Sequence, residues 1–260
     1  MDNALKQKLT EALAAQKGHV GLYYKNLATG ETFGWQAGEA FLAASVIKLP
    51  ILCCIEKWAA EGRCSLEEKI TVTDDQKEPI CGALPLFTGD VTTDVRSLCR
   101  LMISLSDNTA TNVLIDRYGI PAYEEEFRRI GLAGTRLNRR LFEPELSAQG
   151  IQNYIVPAEM GALLEQIWRE AFVSPEVSRE IMDMLLLQQI NHKIPGRIDG
   201  RAEVAHKTGE DEDLSNDVGV VLGPQPFIVC FAGHDTYVPD WEDLIRRASF
   251  DLYLASGGEE

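Results

Sequence analysis

The spacing of apolar residues along this chain changes from a helical period to a strand period and back. Near the N-terminus, Leu5, Leu9 and Leu13 recur every four residues between charged ones, which predicts an amphipathic helix. β-Branched and aromatic residues then predict strands near the start of the chain and again near its end. The predicted strands cover residues 19–26, 31–35, 202–207, 218–222 and 227–232. A last helix with one apolar face is predicted from Trp241.

Between these strands, from about residue 45 to residue 189, the spacing is mostly helical. The predicted helices run over about 46–62, 95–102, 109–117 and 157–170, and Thr92 or Thr93 is the predicted N-cap of the second.

We therefore predict an α/β (α+β) protein with a five-stranded antiparallel sheet that is flanked by the N- and C-terminal helices. Residues 1–40 and 190–260 would form this discontinuous α/β subdomain, and residues 41–189 an all-helical one. We expect the active site in the cleft between the two.

The charged residues disfavour two classes of partner. The formal net charge is -15, from 25 Lys and Arg against 40 Asp and Glu. Nucleic acid and anionic membrane surfaces attract basic patches, so neither is an expected partner. No apolar run is long enough to cross a bilayer, and charges interrupt the N-terminal segment, so it does not resemble a secretory signal. We expect a cytoplasmic monomer that binds a small molecule, exported only if a leader has been removed.

The six cysteines and four histidines show no spacing typical of a metal site, so we expect neither a metal nor another cofactor. Without an export signal, the cysteines are expected to be buried reduced thiols. A disulfide between Cys53 or Cys54 and Cys99 stays open for an exported protein.

Three short motifs hold the residues with catalytic potential. Ser45 and Lys48 lie three residues apart at a predicted helix start, which places a hydroxyl and an amine on one face of a turn. Serine needs a base to become a good nucleophile, and no histidine pairs with a serine in a known motif. Lys48 can serve as that base if burial near a second cation lowers its pKa, and Lys207 can supply the second charge.

FLAASVIK, LSDNTATN and HKTGE, in this order, resemble the motifs of the class A serine β-lactamases and their penicillin-binding relatives. The resemblance covers residues 18–257 and includes Phe41 and Asn112 beside the motifs. It implies that Ser45 is the acylated nucleophile and that Lys48 accepts or relays its proton. Ser106-Asp107-Asn108 also fits a plain helix cap before Thr109, and both roles are compatible.

The same resemblance implies roles for the second and third motifs. Ser106 would pass a proton to the departing nitrogen, and Asn108 would hold the amide of the substrate's side chain. Lys207, Thr208 and Gly209, on a strand edge, would bind the substrate carboxylate. The backbone N–H groups of Ser45 and Glu210 would form the oxyanion hole, in which each donor typically contributes about 10²–10³ in rate.

The segment Phe142-Glu143-Pro144-Glu145-Leu146 resembles the loop that carries the deacylating glutamate of class A β-lactamases, which the penicillin-binding relatives lack. This resemblance nominates Glu143 as the base that activates water. The family pattern continues with an asparagine that shares this water, and Ser147 stands in its place. Because the serine side chain is shorter, we expect it to hold the water less firmly.

This loop also departs from the family in the contacts that usually hold it. Leu141 replaces an arginine two residues before the glutamate, and the usual acidic partner is absent from residues 153–157. We expect the loop either to be held by packing of Leu141, Phe142 and Tyr154 or to be mobile.

Four carboxylates, Glu210 to Asp213, directly follow the third motif, and no arginine on strand 218–222 reinforces Lys207. If they point into the site, anionic β-lactams should bind weakly, because a like charge 4 Å away costs roughly 4 kcal/mol at an effective dielectric of about 20. If they form a solvated turn, which we favour, they change little.

We therefore predict a class A β-lactamase-like serine hydrolase that opens a cyclic amide through a Ser45 acyl-enzyme and releases it by Glu143-activated water. A peptidase, esterase or amidase on the same fold is an alternative that the missing export signal favours. A penicillin-binding sensor that is acylated without turnover is another alternative, which Ser147 and the acidic run favour.

Overall fold

The computed structural model describes residues 1–259, so residue 260, where the predicted α/β subdomain ends, lies outside the described residues. The central element is a five-stranded antiparallel sheet with the strand order β2-β1-β9-β8-β7. The strands are β1 (His19–Asn26), β2 (Thr32–Trp35), β3 (Phe41–Leu42), β4 (Lys69–Val72), β5 (Val91–Asp94), β6 (Tyr154–Ile155), β7 (Glu203–Asp211), β8 (Leu214–Leu222) and β9 (Phe227–His234). The predicted sheet is confirmed.

The two ends of the chain meet in this sheet where β1 pairs with β9, from His19 opposite His234 to Asn26 opposite Phe227. β7 and β8 pair from Glu203 opposite Leu222 to Asp211 opposite Leu214, so a two-residue turn joins them. β7 is therefore an edge strand, with one side free of strand partners among the described residues.

Helices cover both faces of the sheet. They are α1 (Asn3–Ala14), α2 (Lys48–Ala60), α3 (Val95–Ser104), α4 (Asn108–Tyr118), α5 (Ile120–Arg129), α6 (Pro144–Ala148), α7 (Pro157–Trp168), α8 (Pro175–Leu186) and α9 (Val238–Ala255). The terminal helices α1 and α9 pack on one face and form a core with alternate residues of β9, such as Val229 and Phe231. The intervening β9 residues, such as Ile228 and Cys230, face the larger core of the middle helices. The period of two along β9 thus separates two cores.

The middle of the chain departs from the prediction in two details. It was predicted to be all-helical, yet β3 pairs with β6 and β4 pairs with β5 as short two-stranded ribbons. Three of the four residues of β4 are threonine or a β-branched aliphatic residue, and such residues fit a pleated ribbon even in short runs. The N-cap of α3 is Asp94, which accepts from the Ser97 N–H, in place of the predicted Thr92 or Thr93.

The structure also shows the state of the cysteines and bears on the prediction of no membrane span. All six cysteines are free thiols, and Cys53, Cys54, Cys99 and Cys230 are buried. Over residues 1–259, the structure contains no helix with the length and apolarity needed to span a bilayer.

Candidate active site

Ser45 lies in a 3₁₀ turn, Ala44–Ile47, that leads directly into α2. Ala44 takes a left-handed backbone conformation with φ of 39°. Lys48, the first residue of α2, donates from Nζ to Ser45 Oγ at 2.9 Å. The structure thus brings the predicted nucleophile and its predicted base into direct contact.

Lys48 is fully buried, and four oxygens surround its Nζ atom. Besides Ser45 Oγ, these are Ser106 O at 2.8 Å, Ser106 Oγ at 3.0 Å and Asn108 Oδ1 at 2.7 Å. Burial, reinforced by the positive charge of Lys207, holds the pKa of Lys48 well below its ordinary value. A neutral amine has two hydrogens and a lone pair, so it can accept a proton from one of the two hydroxyls.

Ser106 connects this lysine to a second one. Its Oγ atom lies 3.0 Å from Lys48 Nζ and 3.1 Å from Lys207 Nζ, and its backbone is left-handed with φ of 54°. The next residue, Asp107, caps α4 by accepting from Ala110 N at 2.9 Å. Asp107 also accepts from the N–H groups of residues 83 and 84, so it fastens a neighbouring loop to the site. The motif therefore combines a helix cap with a place in the site.

Lys207 is fully buried on β7 and also donates to the Thr208 carbonyl at 2.8 Å. Burial and the positive charge of Lys193 lower its pKa to about 7, against the opposing effect of Asp217 and Glu210. β8 carries no arginine beside Lys207, and the second positive charge that acts on Lys207 comes from Lys193 instead. Lys193 belongs to no motif, and its effect on Lys207 depends on the fold, so the sequence carries no signal for it.

The carboxylates after Gly209 do not behave as one group. Glu210 points to Lys193, whose Nζ lies 2.7 Å from its Oε1, and to His192 at 3.5 Å. Asp211 and Glu212 are exposed yet line the same cavity as Ser45. The favoured expectation of a solvated turn is confirmed, and the same turn also forms a wall of the cleft.

Among the described residues, His192, Glu210 and Glu242 are the group that could hold a metal ion, with ligand atoms within 4.8 Å of one another. The Lys193 ammonium already neutralises Glu210, and Ser215 donates to Glu242 at 2.9 Å. These contacts explain the cluster without an ion.

The cleft is a cavity of about 520 Å³ whose walls include Ser45, Asn108, Glu143 and Ser147. Glu143 Oε2 accepts from the backbone N–H of Arg140 at 2.9 Å. Within residues 1–259, Glu143 and Lys48 form no ion pair. Ser147 Oγ accepts from Gln152 Nε2 at 2.7 Å. Glu143 and Ser147 thus face the nucleophile's cavity, and each is already bonded within its own loop.

Two buried amides hold this loop, and ion pairs of Arg140 with Glu78 and Asp116 add to them. Asn153 is buried and accepts from the N–H groups of Asn138 and Arg139 at 2.8 and 3.1 Å, and it donates to the Arg139 carbonyl at 3.0 Å. Asn112 bonds both backbone groups of Leu141 at 2.9 Å. The packing prediction is wrong for one residue, since the Phe142 side chain is exposed.

Two further residues of the cleft carry no motif signal. Arg139 lines it and donates to the carbonyls of residues 140 and 151 and to Gln152 Oε1. Cys81 lines it as an exposed thiol with φ of 61°. A pair of adjacent arginines before the loop and a single cysteine were the only signals in the sequence, and neither indicates a site by itself.

A family model described as the β-lactamase enzyme family matches residues 4–255. The chain belongs to this family. Its fold and family are those of class A β-lactamase-like serine hydrolases.

Solved structures agree with this assignment. PBP-A is similar with a TM-score of 0.88 and 30% identity over 97% of this chain and 96% of that one. A mutant of PBP-A, in an acyl-enzyme complex with penicillin G, matches equally well. The β-lactamase of Sphaerobacter thermophilus shares the fold, with a TM-score of 0.89 and 24% identity over 99% and 98% of the two chains. An ancestral class A β-lactamase (GNCA) has a TM-score of 0.87 and 24% identity over 96% and 99%.

Proposed function

We propose that this protein hydrolyses a β-lactam or a closely related amide through an acyl-enzyme at Ser45, which water activated by Glu143 then releases. The single observation that carries the proposal is the continuous polar contact from Ser45 through Lys48 and Ser106 to Lys207. Family membership supports the same reaction class.

In the acylation step, neutral Lys48 accepts the Ser45 proton while Oγ attacks the amide carbonyl. Burial and the charge of Lys207 hold the pKa of Lys48 well below its ordinary value, which favours the neutral amine that acylation needs. Ser106, in contact with both lysines, is placed to pass a proton on to the departing nitrogen. Lys48 can then pass the proton that it took from Ser45 to Ser106 Oγ, which restores the hydroxyl of Ser106 and the neutral amine of Lys48.

Substrate binding uses the groups around this chain. Lys207 binds the substrate carboxylate below the pH at which it loses its proton. Asn108 Nδ2 already donates to the Ile80 carbonyl at 2.7 Å, and its Oδ1 accepts from Lys48. The second lone pair of Oδ1 is therefore the group left to accept from the amide N–H of a substrate side chain.

In the deacylation step, Glu143 acts as the base for water. Its Oε2 is bonded to the Arg140 N–H, and this leaves Oε1 for a water in the shared cavity. Ser147 Oγ accepts from Gln152, so its hydroxyl hydrogen remains free to donate to the same water.

A second candidate is acylation without turnover, as in a penicillin-binding sensor. It is favoured by the lack of an ion pair between Glu143 and Lys48 and by the engagement of Ser147 with Gln152. In this case acylation is fast and the adduct persists, because no base reaches the water.

One experiment separates these candidates: incubation with a chromogenic cephalosporin, followed by absorbance and by intact mass. We expect a steady colour change with many turnovers per protein. A single burst with a stable adduct on Ser45 would instead establish the sensor. Neither colour nor adduct would overturn both and leave a peptidase, esterase or amidase, which a set of chromogenic peptide, ester and amide substrates would then test.

A further inference from the structure

β7 carries opposite charges on the face that it turns toward Ser45. Side chains alternate between the faces of a strand, so Lys207, Gly209 and Asp211 share one face. Gly209 shows which face this is, because a Cβ atom there would lie 3.1 Å from the backbone nitrogen of Ser45. At about 3.3 Å per residue, Lys207 and Asp211 are about 13 Å apart along the strand. Ser45 therefore lies opposite the midpoint between a cation and a carboxylate.

The two ends of this face differ in net charge. At one end Lys207 is buried, and the charge of the other buried lysine that acts on it, Lys193, is balanced by Glu210. At the other end Asp211, Glu212 and Asp213 form no ion pair with any residue in 1–259, and the Asp211 side chain accepts only from the Glu212 N–H. Glu210 does not belong to this anionic end, because its carboxylate is neutralised by Lys193.

The anionic end opens into a second cavity of about 260 Å³. One wall is the turn of residues 211–213, and the other is the loop that holds Arg139, Gln152 and Asn153. This chamber is continuous with the cleft of Ser45, because the two share six lining residues: Ala44, Arg139, Leu141, Ser147, Asp211 and Glu212. Arg139 is the one cation in its lining, and its guanidinium is used within its own loop. Three carboxylates against one arginine leave the chamber with a negative excess.

We propose that this chamber binds an ammonium or guanidinium group at the end of the substrate's acyl side chain. The inference rests on the proposed acylation of Ser45 and specifies its substrate class: molecules with a carboxylate on the leaving side and a cation on the acyl side. Asp211 is two residues past Gly209, about 7 Å along β7, so the cation belongs about five or six bonds from the acyl carbonyl. A carboxylate in the same place would meet like charges and bind less well.

Three penicillins with acyl chains of equal length test this proposal, one ending in a primary ammonium, one in a methyl group and one in a carboxylate. The measurement is the second-order rate of adduct formation on Ser45 by intact mass, at pH 7 and low ionic strength, in the Glu143→Gln variant, in which we expect deacylation to be slow. We expect the ammonium compound to react at least about tenfold faster than the carboxylate compound, with the methyl compound between them. The difference should shrink in about 0.5 M salt, because salt screens charges near the surface.

A pair of matched double variants locates the effect. Asp211→Asn with Glu212→Gln should reduce the tenfold preference to about threefold or less. Asp183→Asn with Glu11→Gln removes the same charge from exposed positions elsewhere and should leave the preference unchanged.

Equal rates for the three penicillins would overturn the proposal, and so would a preference that survives in the first double variant. If none of the three forms an adduct, the proposed acylation of Ser45 fails and this inference fails with it. Failure of the proposed function and failure of the charge preference therefore give different results.

Discussion

The residues proposed for acylation and those proposed for deacylation lie in regions that are built differently. Lys48, Ser106 and Lys207 are buried at helix starts and on a strand of the sheet. Glu143 and Ser147 are only partly buried and are bonded to their own loop. A substitution in the first group disturbs the core. A substitution in the loop can change how the deacylating water is held without changing the fold. Acylation and turnover can therefore vary independently within this architecture.

We expect the largest effect on rate from a substitution in the buried group of residues. In Lys48→Met the apolar packing is kept and the amine is lost, so we expect the rate of Ser45 acylation to fall by about 10²–10⁴. Intact-mass kinetics with a penicillin measure this rate when Lys48→Met and its parent both carry Glu143→Gln, and the melting temperature reports whether the fold persists. Lys8→Met, at an exposed lysine of α1, is the control and should react normally. A Lys48 variant that acylates within threefold of the parent would exclude Lys48 as the base.

Glu143→Gln tests the loop side. Glutamine can still accept from the Arg140 N–H but cannot take a proton from water, so we expect deacylation to slow by about 10²–10³ while acylation changes less than about threefold. Adduct should accumulate on Ser45 in the intact-mass spectrum. Glu145→Gln, two residues further along the same loop and exposed, is the matched control. Unchanged turnover in Glu143→Gln would show that another group activates the water.

The pH profile sharpens the role of the buried lysines. The pKa of Lys207 is lowered to about 7, so its positive charge is present below that pH and is lost above it. Acylation by a penicillin should therefore fall up to about tenfold per pH unit above pH 7. The methyl ester of the same penicillin has no carboxylate for Lys207 and should lack this fall. Identical profiles for the acid and the ester would contradict carboxylate binding by Lys207.

The smallest effect is expected from loosening the loop. Asn153→Ala removes three hydrogen bonds to residues 138 and 139, and we expect stability to drop by about 1–3 kcal/mol. Turnover should fall several-fold and acylation less than about twofold. Thermal unfolding and amide exchange over residues 138–152 measure the change. Gln149→Ala, at an exposed residue of the same loop, should behave like the parent. Equal losses of acylation and turnover would show that the loop does not act on deacylation alone.

Much of the fold was predictable because periodicity follows burial. The strands and long helices bury one side, so their apolar residues recur every two or every three to four positions. The ribbon β3–β6 escaped prediction because two residues cannot show a period. β4 does alternate polar and apolar residues, but over only four positions inside a segment whose spacing is mostly helical. The capping error at α3 has a similar cause, since Thr92, Thr93 and Asp94 all cap helices well and only the backbone geometry selects Asp94.

The sequence by itself determined the family, the sheet with its flanking helices, and which residues carry reactive groups. It did so because motifs and periods are local and can be recognised over a few residues. Only the tertiary structure decided that Lys193 acts on the charge of Lys207, that Asn153 holds the loop and that Asp211 shares a face with Gly209 opposite Ser45. These are contacts between distant segments or consequences of strand register, and charge and burial at such contacts depend on where the folded chain places each group.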